Sequence, residues 1–139
     1  MGKFIEQEDY NASIHSDILE AVTRGDQRTL EVCQNRAVQE MRGYMSGRYD
    51  CDAIFGATGE NRIELVVMYC LDITIYHTLT IHNPQKISQI RKDRFEEAKT
   101  WLQGVRDGII NIEGAQEAEE KEESYPYQMK SNPKRRVRR

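Results

Sequence analysis

The sequence predicts an all-α fold, a compact bundle of about four to five helices with an extended C-terminal arm. Three observations carry this. Residues 27–48 and 85–107 repeat apolar side chains at the three-to-four spacing of amphipathic helices. Residues 62–82, between them, are too long for one strand and largely apolar. From residue 113 onward the chain is dominated by charge.

The elements follow in order. Glu6 to Ala12 reads as a short helix and Ser16 to Thr23 as another, with Ile14, Ile18, Leu19 and Val22 at helical spacing. Gly25 ends that segment, and Asp26 suits the N-cap of the next. Gln27 to Arg48 carries Leu30, Cys33, Ala37, Met41, Tyr44 and Met45 on one stripe, with Glu31, Gln34, Asn35, Gln39 and Arg42 opposite. Core packing accounts for this stripe without any cofactor. Asp50 to Asn61 reads as a loop.

Arg62 to His82 is ambiguous. Ile73, Ile75, Leu79 and Ile81 alternate with polar neighbours, as in a strand. The length favours a buried central helix instead, with Leu65, Met68, Tyr69, Ile75, Tyr76 and Leu79 inward. Glu64, Asp72 and His77 interrupt it as a membrane span, so no membrane is expected. Asn83-Pro84 reads as N-cap and first helical residue of a helix over Gln85 to Asp107. Its inner face would hold Ile87, Ile90, Phe95, Ala98, Trp101, Leu102 and Val105, with Gly108 as the C-cap. Ile109 to Ile112 looks extended and closes a domain of residues 1–112.

The chain has 139 residues, enough for one domain; it is 38% hydrophobic and 31% charged, with mean hydropathy −0.76. A net charge of −3 and a pI near 5.7 argue against a basic face over the whole domain. Residues 113–139 form the arm. Six glutamates between Glu113 and Glu123 face a single Lys121. Tyr125, Tyr127 and Met129 make an apolar island, and Lys134, Arg135, Arg136, Arg138 and Arg139 a basic end. So little apolar surface cannot offset the entropy of ordering, so the arm should order only on a partner.

Gly56-Ala57-Thr58-Gly59 resembles the glycine loop with which KH domains clamp single strands. Asp50, Asp52 and Glu60 surround it and would repel phosphates, and a long helix precedes it in place of a β-α unit. A flexible helix-helix connection, in which the glycines permit turns, fits better. Cys33, Cys51 and Cys70 contain no C-x-x-C pair, and His15, His77 and His82 lack ligand spacing, so reduced buried thiols and no metal are expected. Walker A, dinucleotide, H-E-x-x-H and G-x-S-x-G motifs are missing from the sequence, which points away from an enzyme and from a cofactor. Asp72 is the one candidate for a perturbed carboxylate, and Arg91 or Arg94 could satisfy it structurally. Acidic residues at positions 6, 8 and 9 do not fit a secretory leader.

Four strings occur in a familiar order: QEDY, GYMSGRYD, CLDITIYHTL and RFEEAKTWLQGVRDGIINI. Together they resemble a family of small proteins from the head-tail modules of Mu-like phages and prophages. Gly43-Tyr44-Met45, Arg48-Tyr49, Asp72-Ile73-Thr74 and Tyr76 match its pattern, as do Arg94-Phe95, Ala98, Trp101-Leu102 and Gly108. The likeness covers about residues 4–114. It departs at Asp50 to Asn61, where relatives carry prolines and this chain has none. The resemblance implies an all-helical fold without enzymatic activity, and it favours the helical reading of residues 62–82. It further implies a head-completion or head-tail adaptor protein: a homo-oligomeric ring, dodecameric in such proteins, contacting the portal protein and neck or tail-completion proteins. The arm would then bind the portal through Tyr125, Tyr127, Met129 and the basic end, with at most nonspecific contact with packaged DNA, and the loop residues Asp52, Ile54, Phe55, Gly56 and Gly59 would face a neighbouring subunit or the ring's lumen. The protein would reside at the head-tail interface of the virion, and in the host cytoplasm during assembly. The alternative is a nucleic-acid-binding module acting through the basic tail.

Overall fold

The computed structural model describes residues 3–14, 27–82 and 84–118. Within them the chain folds as five α-helices and no strand: α1 (Gln7–Ser13), α2 (Gln27–Met45), α3 (Cys51–Gly56), α4 (Glu64–His82) and α5 (Gln89–Arg106). The expected helix at 16–23, the Asp26 cap and the cap at Asn83 lie outside the described residues.

Helix α4 is the centre. It packs most extensively on α2, then on α5, and α1 covers a further side. Its middle is buried from Tyr69 through Ile75 without a break. By length and composition alone α4 would pass for a membrane-crossing helix, so the acidic and histidine interruptions do not decide the matter. Its burial against three other helices identifies it as the core of a bundle. The β-branched run Ile73-Thr74-Ile75 reads like a strand because its polar members alternate. In the helix those hydroxyls turn inward on the helix's own backbone. Thr74 Oγ1 donates to the Cys70 carbonyl at 2.7 Å, and Thr78 Oγ1 to that of Thr74 at 2.8 Å. Two fully buried hydroxyls are thereby satisfied without a partner from another element.

Not all of the expected facing holds. Leu65 and Met68 were expected inward and are 42% and 37% exposed. A helix that is apolar all round has no periodic signal to say which side is covered. Tyr76 is half-buried, its ring stacked on Phe95 with centroids 4.1 Å apart. Tyr69 meets Trp101 at 4.7 Å and ties α4 to α5 deeper in the core. Leu30, Met41, Asp72, Trp101 and Leu102 are buried; Tyr44 and Phe95 lie partly buried against them.

Three boundaries also move. Helix α2 ends at Met45, which leaves Arg48 outside it. The segment read as a loop contains α3, because the Asp50 carboxylate accepts from the Ala53 N–H at 3.1 Å and caps it. Pro84 does not open α5. Pro84–Lys86 forms a 3₁₀ turn, and Ser88 caps α5 by accepting from the Arg91 N–H. Ile90, expected on the inner face, is consequently 65% exposed. At the other end Gly108 adopts φ +83°, and its N–H and that of Ile109 return to the carbonyls of Val105 and Gly104. This paired return satisfies the last carbonyls of α5 and turns the chain back onto the bundle.

Candidate functional site

Two arginines organise the connection between α2 and α4. Arg48 leaves the end of α2 and reaches the end of α5. Its Nη1 donates to the carbonyls of Val105 at 2.7 Å and Ile110 at 2.8 Å, and its Nη2 to Asn111 Oδ1. A cation placed on C-terminal carbonyls is favoured by the helix dipole as well as by the hydrogen bonds. The neighbouring Tyr49 is buried, and its hydroxyl accepts from the Ile112 N–H at 2.9 Å. The guanidinium of Arg48 lies 5.1 Å over the Tyr49 ring. The Arg-Tyr pair is thus the latch that closes residues 105–112 onto the bundle.

Residues beyond that latch stay in contact. The Asp50 N–H donates to the Gln116 carbonyl at 2.8 Å, and the Ala118 N–H to that of Arg48 at 3.0 Å. These bonds flank an isolated antiparallel bridge between Tyr49 and Glu117. The start of the charged segment therefore runs against the domain as far as the described chain goes.

Arg62 performs the matching task at the N-terminus. It donates to the Phe4 carbonyl at 2.8 Å, to the Gly59 carbonyl at 2.9 Å and to both oxygens of Asp9. Asp9 also accepts from the Glu6 N–H at 2.7 Å, the reciprocal half of a capping box at the start of α1. Sequence reasoning did not single out Arg62; its partners other than Gly59 lie more than fifty residues away in the chain.

The groups with chemical potential are occupied structurally. Asp72 is buried, and Arg94 Nη1 lies 3.8 Å from its Oδ1. Burial pushes its carboxyl above the usual range, while Arg94 and then Arg91 draw it back. Arg91 itself donates to the Ser13 carbonyl and holds the end of α1. Glu40 bridges His77 Nε2 at 3.1 Å and Lys99 Nζ at 3.6 Å, joining α2, α4 and α5. Cys33, Cys51 and Cys70 are buried free thiols, and burial raises Cys70 to about 12. So high a value keeps that thiol protonated and unreactive at neutral pH. Among the described residues no cluster of three His, Cys, Asp or Glu could hold a metal ion.

Of the five residues read as a subunit or lumen loop, Ile54 belongs to the core. Asp52 is exposed and paired with Arg42 at 2.8 Å, and Phe55 packs edge-on against Phe4 at 5.0 Å. Gly56 closes α3, and Gly59, at φ +59°, opens a 3₁₀ turn. The arm residues Tyr125, Tyr127, Met129, Lys134, Arg135, Arg136, Arg138 and Arg139 lie outside the described residues. Two further features escaped the sequence reading: the close approach of Ile110 to Gly104, and the exposure of Leu65 and Met68, which line a cavity of about 400 Å³ with Ala12 and Leu71.

The model of the family described as Bacteriophage Mu, Gp36 covers residues 4–131. No curated protein and no solved structure matches the chain.

Proposed function

The chain belongs to the bacteriophage Mu Gp36 family, and from that premise we propose that it is a structural virion protein, a head-tail adaptor. In this reading it forms a ring between the portal and the neck or tail, and it acts by binding rather than by catalysis. The observation that carries the reading is the family match over most of the chain. Supporting it, the polar clusters at Asp72, Glu40, Arg48 and Arg62 are all committed to joining elements of the bundle.

A closed ring of identical subunits needs heterologous side-by-side contacts. Exposed Leu65 and Met68 offer apolar surface for one such contact, and Asp52 with the α3 end offers a polar one. Residues 119–139 would reach the portal, with Tyr125, Tyr127 and Met129 as anchors and the basic end as steering charge. Neck or tail-completion proteins would meet the opposite face, and the protein would sit at the head-tail interface after assembly in the host cytoplasm.

Ending the chain after Ala118 keeps the Arg48–Ala118 pairing and tests the role of the arm. The truncated protein should keep its helical fold and fail to join tails to heads. Joining at the full-length level would sink the arm assignment. The alternative, nucleic-acid binding through the basic end, predicts binding that falls steeply with salt. A titration against duplex DNA at two salt concentrations separates the two.

A further inference from the structure

The bundle carries two unlike patches on opposite faces at one height. Gln7 of α1 meets Gln27 at the start of α2, and Asp9 meets Arg62 just before α4. Helices α2 and α4 therefore start at the same end and run parallel. The contact between Glu40 and His77 fixes their register. Val32, eight residues before Glu40, stands level with Tyr69, eight before His77, and so at the height of Leu65 and Met68. On α4, Leu65 and Met68 lie about 120° and 180° round the helix from His77 at 3.6 residues per turn, so they face away from α2. On α2, Leu30, Cys33 and Ala37 turn to the core, while Val32 turns out and is 39% exposed.

The patches differ in shape and charge. The one on α4 is a cleft against α1, walled by Ala12, Leu65, Met68 and Leu71, with exposed Glu64 on its rim. Asp9, on the same rim, is already neutralised by Arg62. The patch on α2 is a ridge: Arg28, Val32 and Arg36 follow at four-residue spacing, all exposed. The acids beside this ridge turn to its flanks. Glu31 lines the cavity shared with α1, and Glu40 is held by His77 and Lys99.

We propose that the α2 ridge of one copy of this chain seats in the α1–α4 cleft of the next copy, with Val32 against Leu65 and Met68 and with Arg28 on Glu64. Charge complementarity selects a second copy: a basic ridge meets a cleft whose free rim charge is acidic. Neither patch complements itself, so a two-fold pair through either one would set like charges face to face. Register adds a second reason. Arg28, one turn before Val32, stands at the height of Glu64 and Leu65, so neighbours at equal height and parallel bring the arginine to that carboxylate. The arginine stems can cover the apolar walls while their guanidinium groups reach the rim. Arg28 also has contacts within its own subunit, and its several N–H donors allow a carboxylate to be added. Repeating such a contact sets subunits side by side by rotation about an axis along the helices, and the series closes where that rotation divides the circle. The contact deepens the ring reading and rests on it for closure alone.

Cysteine trapping tests the contact in the full-length protein. The three native thiols are buried, so Val32→Cys and Met68→Cys supply the accessible ones. Mild oxidation of the two variants mixed should give a covalent dimer. Either variant alone should not, nor should Val32→Cys mixed with Gln103→Cys, which places a thiol on the exposed side of α5. Chains carrying both cysteines should give a ladder of oligomers. Adding Glu64→Arg to the Met68→Cys chain should cut the yield by at least about tenfold, as like charges are brought together. Arg28→Glu in the Val32→Cys chain should then restore it, with circular dichroism showing each variant folded. A yield no higher than that of the Gln103→Cys control overturns the contact. An unchanged yield with Glu64→Arg overturns its pairing with Arg28. Slow thiol labelling of Met68→Cys in dilute, monomeric protein assigns the cleft to the subunit's own chain and overturns the contact as well. The adaptor reading falls separately, on whether tails join heads.

Discussion

Asp9 and Arg62 meet as an ion pair whose side chains are only 15% and 9% exposed, across 53 residues of chain. Because Arg62 also donates to Phe4 and Gly59, one guanidinium fixes the N-terminal segment, α1 and the entry to α4 together. Removing one partner of a buried pair strands the other charge. Arg62→Met should therefore cost about 3 kcal/mol in urea unfolding, and more than the double variant with Asp9→Asn costs beyond Asp9→Asn alone. Equal costs in both backgrounds would show that the pair is not coupled.

Arg48→Met should cost about 2 kcal/mol, the scale of charge-assisted hydrogen bonds lost from a helix end. Arg48→Lys should recover little, since an ammonium cannot span Val105, Ile110 and Asn111 as the planar fork does. Hydrogen exchange at Ile112 reads the same event locally: its N–H, bonded to Tyr49, should lose protection in both variants.

Gly104 stands inside α5, yet a Cβ there would lie 2.5 Å from Ile110 Cδ1 and 2.9 Å from its Cγ1. The returning chain packs directly on the helix backbone. Gly104→Leu should destabilise by about 1–3 kcal/mol, as overpacking does. Adding Ile110→Ala should return part of that loss, and a cycle without coupling would place the strain elsewhere.

Asp72 makes a pH-dependent contribution whose sign follows from its raised pKa. A carboxyl that binds its proton more tightly when folded adds stability below its unfolded pKa. That stability is lost as pH rises through its higher folded pKa. Plotted from about pH 3 to 7, unfolding free energies of Asp72→Asn minus those of the parent should rise with pH. A flat difference would mean that Arg94 and Arg91 fully offset the burial.

The long elements were legible because period and length agree for α2 and α5, and because nothing but a helix accommodates residues 64–82 as one piece. The facing of α4 was not legible, since an all-apolar surface gives no direction, and Leu65 and Met68 came out on the wrong side. A six-residue helix such as α3 shows no period, so only its Asp50 cap could have revealed it. Pro84 opens a 3₁₀ turn as readily as a helix, and Ser88, four residues later, takes the cap. Arg62 had no local signal, because every group it binds except Gly59 is more than fifty positions distant. Gly104 did have one: glycine within a helix costs about 1 kcal/mol against alanine, which points to a close approach. The Arg48-Tyr49 pair was visible as a pattern, and its task became clear only once the end of α5 was seen beside it.

The Arg48–Tyr49 latch also sets a timetable for biosynthesis. Its receiving groups at Ile110 and Ile112 lie 62 and 63 residues downstream. At roughly 5–20 residues per second, about 3–13 seconds of translation separate the two halves of the latch. During that interval the nascent chain can assemble α1, α2 and α4 while a tyrosine destined for burial still faces water. The stretch that closes the bundle is therefore made long after the pair that receives it, and a chain stalled before residue 112 would remain an open, sticky intermediate for chaperones to hold.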